Sequence, residues 1–203
     1  MAIKHSPRLI IFDVGNVLIR HDNELLVERL CGYCTDRIGA RMTLVSVMST
    51  RFLSERDGRV AALYGRLQEH GLLLTEPEFE TVFCSHFSLE QGMDEVVGSL
   101  AAGQRVVVLS NTNRVHWKHW LEKYSVLRIP HARYASYELG IAKPDPGCYR
   151  RVLAAEGYAP KAALFIDDKP ENTAAAARLG MAVITYQNRA ALIEALSLHF
   201  DEI

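Results

Sequence analysis

The sequence predicts an α/β fold, a doubly wound parallel sheet with an inserted helical cap. Three observations lead to it. The apolar run Leu9-Ile10-Ile11-Phe12 leads straight into Asp13, with Gly15 two positions on. The same construction recurs where Val106-Val107-Val108-Leu109 meets Ser110-Asn111-Thr112, and where Leu164-Phe165-Ile166 meets Asp167-Asp168. Unbroken apolar runs of this length fit strands buried on both faces. Polar groups at the carboxyl ends of such strands stand where open α/β sheets place their ligands.

Each element follows in chain order. Residues 8–13 form the first strand. From about 17 to 100 the pattern is helical, with no long strand. Asn23–Leu30 is amphipathic, Met42–Leu53 is mostly apolar, and Arg59–His70 reads as a helix stopped by Gly71. Thr75-Glu76-Pro77-Glu78 carries a cap, a first-turn proline and the acid of a capping box, opening a helix expected to reach Phe87. Met93–Ala102 is a further helix, ended by Gly103.

From residue 105 short strands alternate with helices. Strands are expected at 105–109, 132–136, 163–166 and 181–185, and helices at 113–124, 144–156, 172–179 and 189–199. This alternation implies a parallel sheet with helices on both faces. The helical block after the first strand is too long for one crossover. The expected division is a core of residues 1–16 and 92–203, with residues 17–91 as the cap.

Bulk properties narrow the function. The net charge of −1 leaves no broad basic field for nucleic acid or an anionic membrane. No apolar run approaches the roughly 20 residues that span a bilayer. Residues 1–8 hold no signal-peptide pattern, so a cytoplasmic protein is expected, as a monomer or small homo-oligomer. Cys31 and Cys34 have C-x-x-C spacing, but no second pair completes a zinc site and no βαβ unit surrounds them. They are expected to pack as small hydrophobes on one helix face.

Asp13, Asp167 and Asp168 come from two strand ends that a doubly wound sheet can bring together. Like charges at close range need a partner. A divalent cation with all-oxygen ligation, magnesium above all, supplies one. Lys143, in Gly140-Ile141-Ala142-Lys143-Pro144, precedes a proline-started helix and can point at the site. Ser110 and Asn111 offer a hydroxyl, an amide and backbone N–H groups at a helix start, which suits an anion. A carboxylate nucleophile, a metal, a lysine and an anion cradle together describe phosphoryl transfer to an aspartate.

Four ordered segments carry a family resemblance: 12–18 (FDVGNVL), 109–114 (LSNTNR), 140–144 (GIAKP) and 165–172 (FIDDKPEN). They resemble the motifs of the haloacid dehalogenase (HAD) superfamily, and the likeness covers residues 8–187, including a helical cap in the expected place. The wording is most similar to bacterial α-glucose-1-phosphate phosphatases and to the phosphatase domain of soluble epoxide hydrolase. The resemblance implies a Rossmann-like, HAD-type core. It implies that Asp13 is the nucleophile, forming an aspartyl-phosphate and binding Mg²⁺, and that Gly15 lends the metal its backbone carbonyl. It further makes Ser110 and Asn111 the phosphate-binding motif, and gives Lys143 the task of neutralising nucleophile and phosphate. Asp168 becomes the direct metal ligand, with Asp167 and Asn172 behind it.

Gly15 is a departure, because most phosphatases of the superfamily carry there a second aspartate that serves as general acid and base. Such help is typically worth about 10²–10⁴-fold. A sugar 1-phosphate, whose leaving group is less basic, depends less on an acid. His21, Asp22 and His116 are candidates for a replacement.

The function these observations imply is a magnesium-dependent phosphomonoester hydrolase of a small phosphorylated metabolite, with a sugar phosphate as the expected class. Two alternatives stand beside it. One is a 2-haloacid-type hydrolytic dehalogenase using the same aspartate. The other is a weakly catalytic or non-catalytic protein that binds a phosphorylated ligand or a partner. His116, Trp117, His119 and Trp120 are expected mainly to pack a helix on the sheet, although they could line a pocket. Arg51, Arg56 and Arg59 are expected on a solvated face, with substrate contact as the other possibility.

Overall fold

The computed structural model of the chain describes residues 7–48 and 58–200. In order, the elements are β1 (Leu9–Phe12), β2 (Ile19–His21), α1 (Asn23–Gly32), α2 (Arg37–Met48), α3 (Arg59–Gln68), α4 (Glu76–Phe83), β3 (Phe87–Leu89) and α5 (Met93–Gly103). They continue with β4 (Arg105–Ser110), α6 (Arg114–Lys123), β5 (Ala132–Ala135), α7 (Ser136–Leu139), α8 (Pro146–Glu156), β6 (Ala163–Asp167), α9 (Pro170–Arg178), β7 (Ala182–Thr185) and α10 (Arg189–Ser197).

The main sheet is parallel, in the order β5-β4-β1-β6-β7. The strand order reverses around β1, so the carboxyl ends of β1, β4 and β6 border the topological switch point. Phe12 pairs with Val108 on one side and with Ile166 on the other. Asp13, Leu109-Ser110 and Asp167-Asp168 therefore leave the sheet at the same level.

Strand alternation builds two cores. Ile10, Phe12, Val106, Val108, Leu164 and Ile166 face one side, packed with residues of α5, α6 and α10. Leu9, Ile11, Val107, Leu109 and Phe165 face the other, against α8 and α9. A third cluster belongs to α1–α4 and includes Leu26, Leu30, Leu44, Leu63, Phe79 and Phe83. The helical segment thus has an apolar interior of its own, joined to the sheet by the antiparallel pair β2–β3.

Side-chain caps and a glycine fix several helix ends. Asp22, Asn113, Asp145 and Asn188 cap α1, α6, α8 and α10, each accepting from a first-turn N–H. The Thr75 N–H donates to the Glu78 carboxylate at 2.8 Å, as a capping box requires. Gly157 ends α8 at φ 73°, the left-handed conformation glycine adopts without steric cost.

Other boundaries moved. The helix expected from Met42 begins earlier, at Arg37, and its later residues lie outside the described residues. α4 stops at Phe83, because residues 87–89 pair with β2 instead of extending the helix. α8 begins at Pro146 and not at Pro144, since Asp145 takes the cap. Cys31 lies in α1, but Cys34 falls beyond its end, bridged to Leu72. Both thiols are free and buried in the helical cluster, and burial raises their pKa values.

Leu164 is fully buried in the middle of the sheet. Leu164→Ala is expected to destabilise the fold by about 2–5 kcal/mol, the range for truncating a buried leucine. Urea unfolding measures the difference, and a loss below about 1 kcal/mol would contradict the packing described.

Candidate active site

Three strand ends and one loop converge at the switch point. Asp13 continues from β1, and its N–H donates to the Ile166 carbonyl at 2.8 Å. Asp167 ends β6 and Asp168 follows it. Lys143 arrives on the loop before α8, and its side chain is buried. The Lys143 ammonium lies 2.8 Å from Asp13 Oδ1 and 2.7 Å from Asp167 Oδ2. Val14 N–H also donates to Asp13 Oδ1, at 2.7 Å.

Asp167 is saturated. Besides Lys143, it accepts from the Asn172 amide at 2.9 and 3.0 Å and from the Lys169 N–H at 2.9 Å. Asp168 differs. Its Oδ2 accepts from the Asn16 amide at 3.3 Å, while its Oδ1 is buried with no hydrogen-bond partner. Oxygens of Asp13, Asp167 and Asp168 lie within 4.8 Å of one another. An orphaned carboxylate oxygen amid hard oxygen donors fits a small divalent cation.

Electrostatics agree with the geometry. Burial pushes the Asp13 carboxyl up to about 7, against the pull of the Lys143 ammonium, and Asp167 and Asp168 add to the rise. Burial disfavours charge on Lys143, but Asp13 and Asp167 outweigh it and hold the ammonium above its ordinary pKa. Asp168 is raised by burial first and by Asp167 second.

Asn111 does something other than expected. Its amide donates to the Lys143 carbonyl at 2.8 Å, and its carbonyl oxygen accepts from the Lys143 N–H at 2.9 Å. The side chain is therefore committed to fixing the lysine loop, and Thr112 N–H is taken by the Ser136 hydroxyl at 3.0 Å. Ser110 is buried at the end of β4 and lines the cavity. The capping role falls to Asn113, whose side chain accepts from His116 N–H at 2.9 Å.

The cavity has a volume of about 210 Å³. Asp13, Gly15, Ser110, Asn111, Lys143, Asp168 and Asn172 reach it, as do His21, Phe83 and His86 from the inserted segment and His116 and Trp120 from α6. Its aromatic wall is ordered by contact. The His116 ring stacks on Phe83 with centroids 4.2 Å apart and meets Phe87 edge-on at 4.7 Å. Trp117 and Trp120 pack in the sheet core as expected, but Trp120 also borders the cavity. Arg59 opens α3 and is not among the cavity-lining residues, while Arg51 and Arg56 lie outside the described residues.

Sequence reasoning assigned no role to Asn16, which sits at φ 54°, a left-handed conformation that asparagine tolerates. Its side chain ties Asp168 to the His21 N–H, which it receives at 3.3 Å. Its place in the first motif, directly after Gly15 in the turn that follows β1, was the available signal. Glu90 was missed as well. It is buried and pairs with Arg20 while accepting from the Tyr186 hydroxyl at 3.2 Å, binding β2 to the sheet side of the molecule.

The raised Asp13 pKa gives a testable sign. The ordinary carboxyl value is 3.8 and the folded value is about 7, so between them the folded chain keeps a proton that the unfolded chain has lost. Stability from this group is full below the lower value and drains as pH rises through the window. Asp13→Asn cannot ionise. In chelator, the stability of Asp13→Asn relative to that of the native chain should rise from about pH 4 to about pH 7 and stay flat above. Denaturant unfolding across that range checks it, and a pH-independent difference would contradict it.

Comparison with known proteins bears on this geometry. A family model of haloacid dehalogenase-like hydrolases matches residues 7–180. Flavin mononucleotide hydrolase 1 of Arabidopsis thaliana is 32% identical over 114 residues, 56% of this chain and 46% of that protein. The chain thus spans about half the length of that relative. Among solved structures, HAD family enzyme BT-2542 of Bacteroides thetaiotaomicron in complex with magnesium and inorganic phosphate superposes with TM-score 0.76 at 24% identity, covering 90% of this chain and 95% of that one. The L-2-haloacid dehalogenase of Xanthobacter autotrophicus superposes with TM-score 0.65 at 16% identity, covering 94% and 82%. Identities this low show the shared fold alone. The family model spans most of the chain, and the chain belongs to the haloacid dehalogenase-like hydrolases.

Proposed function

We propose that the protein is a magnesium-dependent phosphomonoester hydrolase of a small phosphorylated metabolite, acting through an aspartyl-phosphate on Asp13. The observation that carries this reading is the constellation of Asp13, Lys143 and Asp168 around one cavity, with the Asp168 Oδ1 unpartnered. A bound Mg²⁺ would polarise the phosphoryl group and offset the charge of the carboxylates. Asp13, Asp168 and the Gly15 carbonyl would hold it. The other roles fall to the chain itself. Asp13 Oδ2 is the attacking atom in this proposal, because Lys143 and Val14 N–H both occupy Oδ1. Lys143 balances nucleophile and phosphate, while Asp167 and Asn172 hold the ammonium in place. Ser110 and the Asn111 backbone N–H receive the phosphate oxygens. Residues 17–91 serve as the cap over a core of residues 1–16 and 92–203.

A magnesium and phosphate complex of a protein sharing the fold, and a relative named as a flavin mononucleotide hydrolase, support this reading over a dehalogenase. A sugar phosphate remains the proposed substrate class. The aromatic wall of Phe83, His116 and Trp120, taken with that relative, favours a ring-bearing phosphate such as flavin mononucleotide as the second reading. A cytoplasmic setting belongs to the same proposal.

The test is phosphate release from a panel of sugar phosphates, flavin mononucleotide and an aryl phosphate, with magnesium and with chelator. Turnover is expected with magnesium, is lost in chelator, and falls at least about 10³-fold in Asp13→Asn. Release that survives in Asp13→Asn, or none from any ester, would overturn the proposal.

A further inference from the structure

The missing carboxylate at position 15 has a physical counterpart in the structure. A side chain built on Gly15 would begin 3.7 Å from His21 Cδ2 and 3.8 Å from His21 Nε2. The Cδ2–Nε2 edge of that imidazole thus borders the space into which a residue at position 15 would extend. His21 lines the same cavity as Asp13, Lys143 and Asp168. Its backbone is fixed to the first motif, because its N–H donates to Asn16 and its strand pairs it with Phe87. Its Nδ1 is buried without a hydrogen-bond partner, and the Asn23 side chain, which lines the same cavity, interacts with the ring.

The other candidates are already occupied. Asp22 caps α1, accepting from Leu25 N–H at 2.9 Å, and does not line the cavity. His116 has both nitrogens engaged, Nδ1 with the Asn113 amide at 3.1 Å and Nε2 with the Phe83 carbonyl at 3.3 Å. An amide donor on one side and a carbonyl acceptor on the other hold that ring neutral and fixed. His86 lines the cavity, but its ring is not among the atoms that would meet a side chain at Gly15.

We infer that His21 does the work a carboxylate at position 15 would do, its Nε2 holding the water that hydrolyses the aspartyl-phosphate and accepting its proton. The inference rests on the phosphatase reading above. In this step the water oxygen bonds to phosphorus, and the bond from phosphorus to the Asp13 oxygen breaks, its electron pair returning to the carboxylate. The water's proton passes to His21 Nε2, which later loses it to solvent. The products are inorganic phosphate and free Asp13. The device is supplied by β2, on the helical side of the molecule, and not by the β1 loop that carries Asp13.

The experiment compares the native chain, His21→Ala, His86→Ala and the double variant Gly15→Asp/His21→Ala, with an aryl phosphate and magnesium. It reads kcat, KM and the fraction of enzyme trapped by acid as phospho-Asp13. His21→Ala should lower kcat about 10²-fold or more with KM little changed, and phosphoenzyme should accumulate. His86→Ala should not accumulate it. Gly15 has no positive φ and ordinary contacts at its Cβ position, so aspartate fits there, and in the double variant it should restore kcat by about tenfold or more. His21→Asn carries the same expectation if the alanine variant fails to fold. A His21→Ala enzyme within about threefold of native, or one slowed without phosphoenzyme, would overturn the inference while leaving the phosphatase reading intact. A native chain that releases no phosphate would overturn both.

Discussion

A buried ammonium between two carboxylates is the constraint on which the rest of this structure depends. Lys143 is 1% exposed, and its Nζ touches both Asp13 and Asp167. Ions of this kind persist away from water only when every partner is in place, because removing one leaves an uncompensated charge. Much of the surrounding chain serves that condition. Asn111 clamps the lysine loop from both sides, Asn172 and Lys169 N–H complete Asp167, and the Tyr149 hydroxyl holds the Asn172 carbonyl at 2.9 Å. The Phe165 ring lies 5.4 Å below the ammonium, a cation–π contact from the strand that carries Asp167.

The imbalance of the cluster is as informative as its balance. Three carboxylates surround the buried Lys143 ammonium, with Lys169 also lining the cavity, and burial raises the pKa values of Asp13 and Asp168. Asp167 spends its lone pairs on protein donors, whereas Asp168 keeps one oxygen without any. The pair Asp167-Asp168 is thus divided in function by what each residue touches. In the proposed function one orients the lysine and the other takes the cation.

Much of the frame was legible in the sequence because its signals are local. Fully apolar strands, capping residues and stop glycines announce β1, β4 and β6 and the helices between them without knowledge of the partners. The pair β2–β3 was not legible, since Ile19–His21 and Phe87–Leu89 are three residues each and gain their strand character only by meeting across the inserted helices. The motif residues were legible by type, yet their contacts were not. Asn111 reads as an anion donor until the lysine loop is seen to claim its amide. Asn16 reads as part of a motif until its left-handed turn is seen to join Asp168 to β2. His21, Asp22 and His116 were equivalent in the sequence. A helix cap and a pair of hydrogen bonds separate them in space.

The proposed chemistry stands on Asp13 as the nucleophile that carries the phosphoryl group. The most direct measurement is to quench the enzyme in acid during turnover of a labelled phosphate ester and locate the label by peptide mapping. A hydroxylamine-labile phosphoryl group is expected on the peptide carrying residues 9–18, at Asp13. Label on another residue, or turnover with no labelled peptide at any time, would contradict it.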